Sequence, residues 1–258
     1  MSKHTVIWGA GWLGIPLAKS LKNGGHSVFC ITRSKEKQEL LPSSGIDAST
    51  IEQFQLNSEL VSQCSTFIIA LPPITEDVFL ELMRQTIQLL PVATHLIYTS
   101  SIGVYFSASG LVDENSPIDE THDVAQIEKL VSTSKPDKCT ILRLGGLIGP
   151  KRHPVHFLAK RSQNSNPGQV VNLVHQQDVI RVIELFVQNP TFGTYNVCSS
   201  EHPTRKEYYN EAATAFGLEP ISFENSTNES GKIVASSKLE RLFPLVVSTS
   251  IYNFDSCK

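Results

Sequence analysis

Thr5-Val-Ile-Trp-Gly-Ala-Gly-Trp-Leu-Gly14 reads as a short strand running directly into a glycine-rich turn. Thr5 to Trp8 is a compact β run. Beyond it, Leu13, Leu17 and Leu21 fall at i, i+4 and i+8, one face of a helix that opens at the turn. Pro16 sits in that helix's first turn, where it is tolerated, and Gly24-Gly25 stops the helix. A bare GxGxxG pattern is weak; strand before and helix after are the context that gives it meaning. Gly9 permits the tight turn, Gly11 removes a Cβ where a pyrophosphate must approach the backbone, and Gly14 lets helix and strand pack closely. The amides and positive end of the helix then hold phosphates. Gly9, Gly11, Trp12, Leu13 and Gly14 are therefore expected to bind a dinucleotide.

The same alternation continues along the chain. Further strands are predicted at Ser27–Thr32, Phe67–Ala70, His95–Thr99, Cys139–Leu144 and Thr194–Val197, with helices over about 76–90, 122–132 and 178–187. Apolar strands separated by helices indicate a parallel sheet covered on both faces, hence a doubly wound α/β (Rossmann) fold. Thr204-Arg-Lys-Glu207 is a capping box that starts a helix to Phe216, with Gly217 as its stop. Glu219–Gly231 is polar, and Ser236–Phe243 allows one more short helix. The expected division is a core of residues 1–150 plus about 170–200, with about 151–169 and 201–258 as a small C-terminal, substrate-side lobe.

Composition narrows the function. The chain has 258 residues, 40% hydrophobic and 18% charged, with 22 Lys and Arg against 25 Asp and Glu, a net charge of −3. That balance gives no electrostatic case for binding nucleic acid or an anionic membrane. No stretch approaches the roughly 18 consecutive apolar residues of a membrane span. The five cysteines (Cys30, Cys64, Cys139, Cys198 and Cys257) are dispersed and form no metal-ligand spacing, so no metal is expected. With no apolar leader at the start of the sequence, a cytoplasmic protein is expected. A homodimer is possible.

The second strand ends at Thr32-Arg33-Ser34. An NAD-preferring site has an Asp or Glu near here to hold the ribose 2′-hydroxyl. Thr32 is neutral and Arg33 cationic. A guanidinium can pair a 2′-phosphate, so NADP(H) is favoured over NAD(H); the plainer reading of Arg33 is a solvated surface arginine. A basic run after Pro150 (Lys151, Arg152, His153, Lys160, Arg161) either meets an anionic substrate or is wet surface.

With these residues the chain resembles the extended short-chain dehydrogenase/reductases, the NAD-dependent epimerase/dehydratase superfamily, and within it the YeeZ-like group. Tyr98-Thr-Ser-Ser101-Ile-Gly-Val-Tyr105 resembles the family's serine strand. Leu142-Arg-Leu-Gly-Gly-Leu-Ile-Gly-Pro150 resembles its segment beside the nicotinamide, and His175-Gln-Gln-Asp178 its later HxxD segment. The resemblance implies that Ser101 is the catalytic serine, that Ala70, Leu71 and Pro72 line the cofactor's ribose, and that Gly145 and Gly146 flank the nicotinamide.

The family's Tyr-x-x-x-Lys pair is missing. Four residues after Tyr98, Tyr105, Tyr195, Tyr208, Tyr209 and Tyr252 stand Ile102, Ser109, Ser199, Ala212, Ala213 and Ser256. Aligning Glu128 with a glutamate common in the family puts Glu120 and Val124 at the positions of the pair. His122 and Tyr105 are the other candidates to move a proton. Two functions stay open: an NADP(H)-dependent oxidoreductase or epimerase/dehydratase-like enzyme on a small polar substrate, or a catalytically inactive dinucleotide-sensing protein.

Overall fold

In the computed structural model, which describes residues 4–106, 110–224 and 231–258, the glycine turn joins β1 (His4–Trp8) to α1 (Gly14–Asn23). β2 (Ser27–Ile31), α2 (Lys35–Leu40), β3 (Asp47–Ser49), α3 (Ile51–Leu56), α4 (Ser58–Ser62), β4 (Cys64–Ile69), α5 (Asp77–Leu89) and β5 (His95–Ser101) follow. Then come β6 (Gly110–Val112), α6 (Asp123–Ser134), β7 (Cys139–Leu144), β8 (Gly146–Ile148), α7 (Val155–Leu158), β9 (Leu173–His175), α8 (Gln176–Gln188), β10 (Gly193–Val197), α9 (Arg205–Ala215), β11 (Lys232–Val234) and α10 (Ser237–Leu242).

Seven strands form one sheet in the order β10-β7-β5-β4-β1-β2-β3. β1 pairs in parallel with β2 on one side and β4 on the other, and β2 with β3 and β4 with β5 are parallel too. The chain therefore reverses its direction of travel across the sheet between β1 and β4, the point where doubly wound folds open a crevice. Val6, Ile7, Phe67, Ile68 and Ile69 are fully buried, as strands covered on both faces require.

The chain divides into two compact units. The first comprises residues 1–100, 119–142 and 183–194; the second comprises 101–118, 143–182 and 195–258. The sequence placed 101–118, 143–150, about 170–182 and 195–200 with the core. They fall in the second unit because their backbone pairs there: β6 with β11, β8 with β9, and the Gly145 amide with Val197 O at 2.9 Å. The second unit has its own apolar core, built from Ile148, Val155, Leu173, Tyr208, Ala212, Ile251 and Phe254 among others.

The capping box forms as expected: Thr204 accepts from the Glu207 amide, and Glu207 accepts from the Thr204 amide. Of the polar stretch 219–231, residues 225–230 lie outside the described residues. All five cysteines are free and buried. Burial pushes the thiols of Cys30, Cys64, Cys139 and Cys198 up to about 12, so they stay protonated. Among the described residues no helix is long and apolar enough to cross a membrane, and no group of three or more His, Cys, Asp or Glu could hold a metal.

Candidate functional site

A cavity of about 560 Å³ opens in the first unit at the carboxyl ends of β1, β2 and β4. Its floor is the glycine turn. Gly9 has φ 124°, and a Cβ there would lie 2.3 Å from Ala70 O; a Cβ on Gly14 would lie 2.0 Å from Gly9 O. Both glycines are forced by backbone packed against backbone. Gly11 differs: a Cβ there would meet nothing within 4 Å. Neither its φ nor its protein neighbours require glycine, so what the missing Cβ leaves is open space above the turn.

α1 begins at this floor. Its N-cap, Leu13, offers no side-chain cap, and no acidic residue stands in its first turn. The first amides of a helix have no intrahelical acceptor, and the dipole makes that end positive. A pyrophosphate meets both requirements, and the open face at Gly11 is where it would approach. The residues present fit a dinucleotide.

The wall of the cavity includes Thr32, Arg33 and Ser34 from the end of β2, and Ala70, Leu71 and Pro72 after β4. Thr32 and Ser34 shape the loop. The Ser34 amide donates to Thr32 Oγ1 at 3.2 Å, and Ser34 Oγ accepts from the Lys37 amide at 3.3 Å as the N-cap of α2. Arg33 is exposed in the same wall.

Several wall residues escaped the sequence reading. Lys37 reaches back so that its Nζ donates to Ala10 O at 2.8 Å, which puts a second cation on the glycine turn. The Ser34 cap was the available signal, since it fixes the helix that carries Lys37. Phe79 stacks at 5.6 Å on Trp8 and closes the apolar side. Thr50, Ile51 and Glu52 follow β3, a strand too short and polar to be seen by periodicity. The Thr50 hydroxyl holds the Glu52 carboxyl below its usual range.

The candidates for chemistry have structural partners. Ser101 Oγ accepts from the Gly103 amide at 3.0 Å and caps the turn 102–104. Tyr105 is 2% exposed; its hydroxyl donates to Asn196 Oδ1 at 2.7 Å and accepts from Arg143 Nη1 at 3.1 Å. Burial raises the Tyr105 phenol, and Arg143 opposes the shift only in part. Lys232 Nζ donates to Ile102 O and to Tyr105 O, both at 2.9 Å, and so clamps the turn from Ser101 to Tyr105. His122 is the N-cap of α6, its Nδ1 accepting from the Val124 amide at 3.2 Å. Glu128 is buried and accepts a hydrogen bond from Ser100.

Gly145 and Gly146 lie in the second unit. The Gly146 amide donates to Asn172 O at 2.8 Å. A Cβ on Gly145 would lie 3.1 Å from Asn172 O, so this segment too is closely packed. The HxxD segment ties down the C-terminal stretch. Asp178, fully buried, binds Arg181 and accepts from the Thr249 amide and hydroxyl, while His175 Nε2 meets Ser256 Oγ at 2.8 Å.

No family model matches the chain. It is 34% identical to protein YeeZ of Escherichia coli K12 over 92% of this chain and 93% of that one. Its fold matches the UDP-glucuronic acid 4-epimerase of Bacillus cereus, solved in complex with NAD, at a TM-score of 0.77 and 18% identity, over 98% of this chain and 96% of that one. The dTDP-glucose 4,6-dehydratase of Bacillus anthracis, also solved with NAD, matches at 0.78 and 13% identity, over 99% and 95%. Similarity to YeeZ along nearly the whole of both chains shows that the chain belongs to the YeeZ family, and its fold is that of the NAD-dependent epimerase and dehydratase it matches.

Proposed function

We propose that the first unit binds a nicotinamide dinucleotide, NADP(H) in preference to NAD(H), and that the protein acts as an oxidoreductase or epimerase/dehydratase-like enzyme on a small polar substrate. The observation that carries the cofactor half is the open face at Gly11, set between two glycines that the packing itself forces. The NADP(H) preference rests on charge. Arg33 and Lys37 stand in the wall against the single acid Glu52, and a 2′-phosphate needs cations where a 2′-hydroxyl needs a carboxylate.

Bound there, the cofactor would supply hydride transfer at its nicotinamide ring. The amides at the start of α1 hold its phosphates, Arg33 pairs the 2′-phosphate, and Ala70 to Pro72 bound its ribose. Ser101 is the residue for a substrate oxygen. Its Oγ already accepts from Gly103, which leaves its own proton to donate. A second reading, a dinucleotide sensor without turnover, draws support from Tyr105, whose hydroxyl is committed to Asn196 and Arg143.

Titration with NADPH and NADH, read by fluorescence and thermal shift, tests the first step. Ligand bound only to the native state at a hundredfold excess over Kd raises stability by about 2.7 kcal/mol. NADPH is expected to bind more tightly, with Arg33→Ala removing the preference. If neither dinucleotide binds at about 1 mM, a stabilisation this test would register, both readings fall. If NADPH binds and is turned over with no candidate substrate, the sensor reading stands.

A further inference from the structure

At the end of the sheet opposite the glycine turn, His4 opens β1 and Ser27 opens β2, and the two are partners in the parallel pairing. His4 Nδ1 meets Ser27 Oγ at 2.6 Å, and His4 Nε2 meets Gln63 Oε1 at 2.9 Å. The backbone of the histidine is fixed as well. Its amide donates to Gln63 O at 3.0 Å, and its carbonyl accepts from Ser65 Oγ at 3.2 Å. A carboxylate decides which way the protons point. Gln63 Nε2 donates to Glu59 Oε1 at 3.2 Å, and an ionised carboxylate only accepts, so the other amide atom of Gln63 is its oxygen. That oxygen is also only an acceptor, so His4 Nε2 carries the hydrogen. In the neutral ring Nδ1 is then the basic nitrogen, and the Ser27 hydroxyl donates to it.

Glu59 thus orients Gln63, Gln63 orients His4, and His4 Nδ1 receives the hydrogen bond of Ser27. A hydroxyl that donates to an imidazole whose far nitrogen is held by a third group is the arrangement of an activated nucleophile. The arrangement borders space. His4, Ser27 and Gln63 line a cavity of about 300 Å³ that lies wholly in the first unit, with Phe29 and Leu60 as its apolar side. That volume is at the lower end for small-molecule sites. Ser27 is exposed, so its oxygen can be reached. Asn57, also in the lining, caps α4 through Oδ1, which accepts from the Leu60 amide at 3.0 Å. The cap leaves its Nδ2 hydrogens for a developing oxyanion.

We propose that this cavity is a second reactive site, in which Ser27 attacks the carbonyl carbon of a small carboxylic ester. As the bond from Ser27 Oγ to that carbon forms, the hydroxyl proton passes to His4 Nδ1. When the tetrahedral adduct collapses, the carbon–oxygen bond to the leaving alcohol breaks, and that oxygen takes the proton from Nδ1. Water then attacks the acyl-serine, with the same nitrogen as base, and the carboxylic acid leaves. Ser27 and His4 are the catalytic residues of this site, and Gln63 is a positioning residue. Asp47 and Glu59, the carboxylates of the lining, favour a neutral or cationic ester over an anionic one. The site lies at the amino ends of the strands and stands whether or not a dinucleotide binds at their carboxyl ends.

Reaction of the full chain with a fluorophosphonate, followed by intact mass and peptide mapping, tests it. Ser27 Oγ displaces fluoride from phosphorus, and the adduct stays on the serine. An adduct on Ser27 is expected, and Ser27→Ala should lack it. His4→Gln should slow labelling by about a hundredfold, the lower end of what a positioned base supplies. Hydrolysis of 4-nitrophenyl acetate should fall with the same two substitutions. Labelling of the wild type should slow as pH drops and Nδ1 takes up a proton. Gln63→Glu should move the midpoint of that profile upward, because a carboxylate on Nε2 favours the imidazolium. A folding role for Gln63 would leave the midpoint where it is, and that result removes Gln63 from the site. Thermal melts show that each variant is folded. The proposal is overturned if the wild type takes no adduct on Ser27, or if folded His4→Gln is labelled at the wild-type rate. Wild-type labelling that stays constant between about pH 5 and 8, the range in which a histidine titrates, overturns it without any substitution.

Discussion

The glycine turn of the first unit and the serine turn of the second make opposite use of their polar groups. At the glycine turn, space is left open at Gly11 and α1 begins without a side-chain cap. At the serine turn, Ser101 caps the backbone, Tyr105 is held between Asn196 and Arg143, and Lys232 pins two carbonyls. One region keeps its hydrogen-bonding capacity for a ligand; the other commits it to the fold. The open face at the glycine turn can thus be intact while the Tyr105 hydroxyl is absorbed into packing.

The sharpest way to break that contrast is within the glycine turn. Gly14→Ala drives a Cβ into Gly9 O and should cost about 3 kcal/mol or more, along with dinucleotide binding. Gly11→Ala should leave stability within about 1 kcal/mol, because nothing lies within 4 Å of the new Cβ, while abolishing binding. Urea melts and NADPH titrations of the pair decide it; a Gly11→Ala protein that binds normally removes the open-face argument.

Two buried histidines, one in each unit, carry the largest shifts; His175 in the second unit is lowered too. Burial lowers His95 in the first and His153 in the second from 6.5 to about 4. The unfolded chain takes up these protons near 6.5, so between there and pH 4 it binds more protons than the folded chain. Stability must then fall as pH falls through that window, by up to about 3 kcal/mol per histidine. The geometry of His153 agrees, since a proton on Nδ1 would face the Val155 amide. Urea melts at pH 7 and 4.5 should show the loss, and His95→Gln and His153→Gln should each flatten it. An unchanged slope in both variants would refute the assignment.

Smaller effects probe the serine turn. Tyr105→Phe removes the hydroxyl that donates to Asn196 Oδ1 and accepts from Arg143, and should cost about 1–3 kcal/mol without altering NADPH affinity. A Tyr105→Phe protein of full stability that has lost turnover would make the tyrosine a participant in the chemistry. Ser101→Ala removes only the cap on Gly103 and should cost about 1 kcal/mol or less. Substrate affinity, once a substrate is found, then measures what the hydroxyl does for it.

The regular elements of the sheet were legible because their cause is local. β1, α1 and the strands read at Phe67–Ala70 and Cys139–Leu144 announce themselves by short, mostly apolar β runs or a four-residue repeat, although the first of these two strands starts earlier, at Cys64. The capping box at Thr204 is equally local. What stayed hidden depends on distance or brevity. β3 has three residues, none strongly apolar, so the wall at Thr50 to Glu52 left no pattern. The Lys37 contact with Ala10 spans 27 residues and the Asp178 contact with Thr249 spans 71. Residue type offers a donor or an acceptor but not its partner. Tyr105 shows the same limit, since its neighbours Arg143 and Asn196 could not be read from the motif that contains it.

The anchoring of the C-terminal stretch has a consequence for the order of synthesis. Asp178 and Glu201 hold Thr249 and Ile251, and Ile251, Phe254 and Cys257 complete the second unit's core. Domains fold as their chain becomes available, N-terminal parts first. The last segment of the first unit ends at residue 194, whereas the second draws on segments from 101 onward and reaches residue 258. While the ribosome still holds the final segment, Tyr208 and the helix that carries it lack their cover. A premature stop near residue 248 would release a chain in which that apolar surface never closes, a substrate for chaperones and proteases rather than a shortened but working protein.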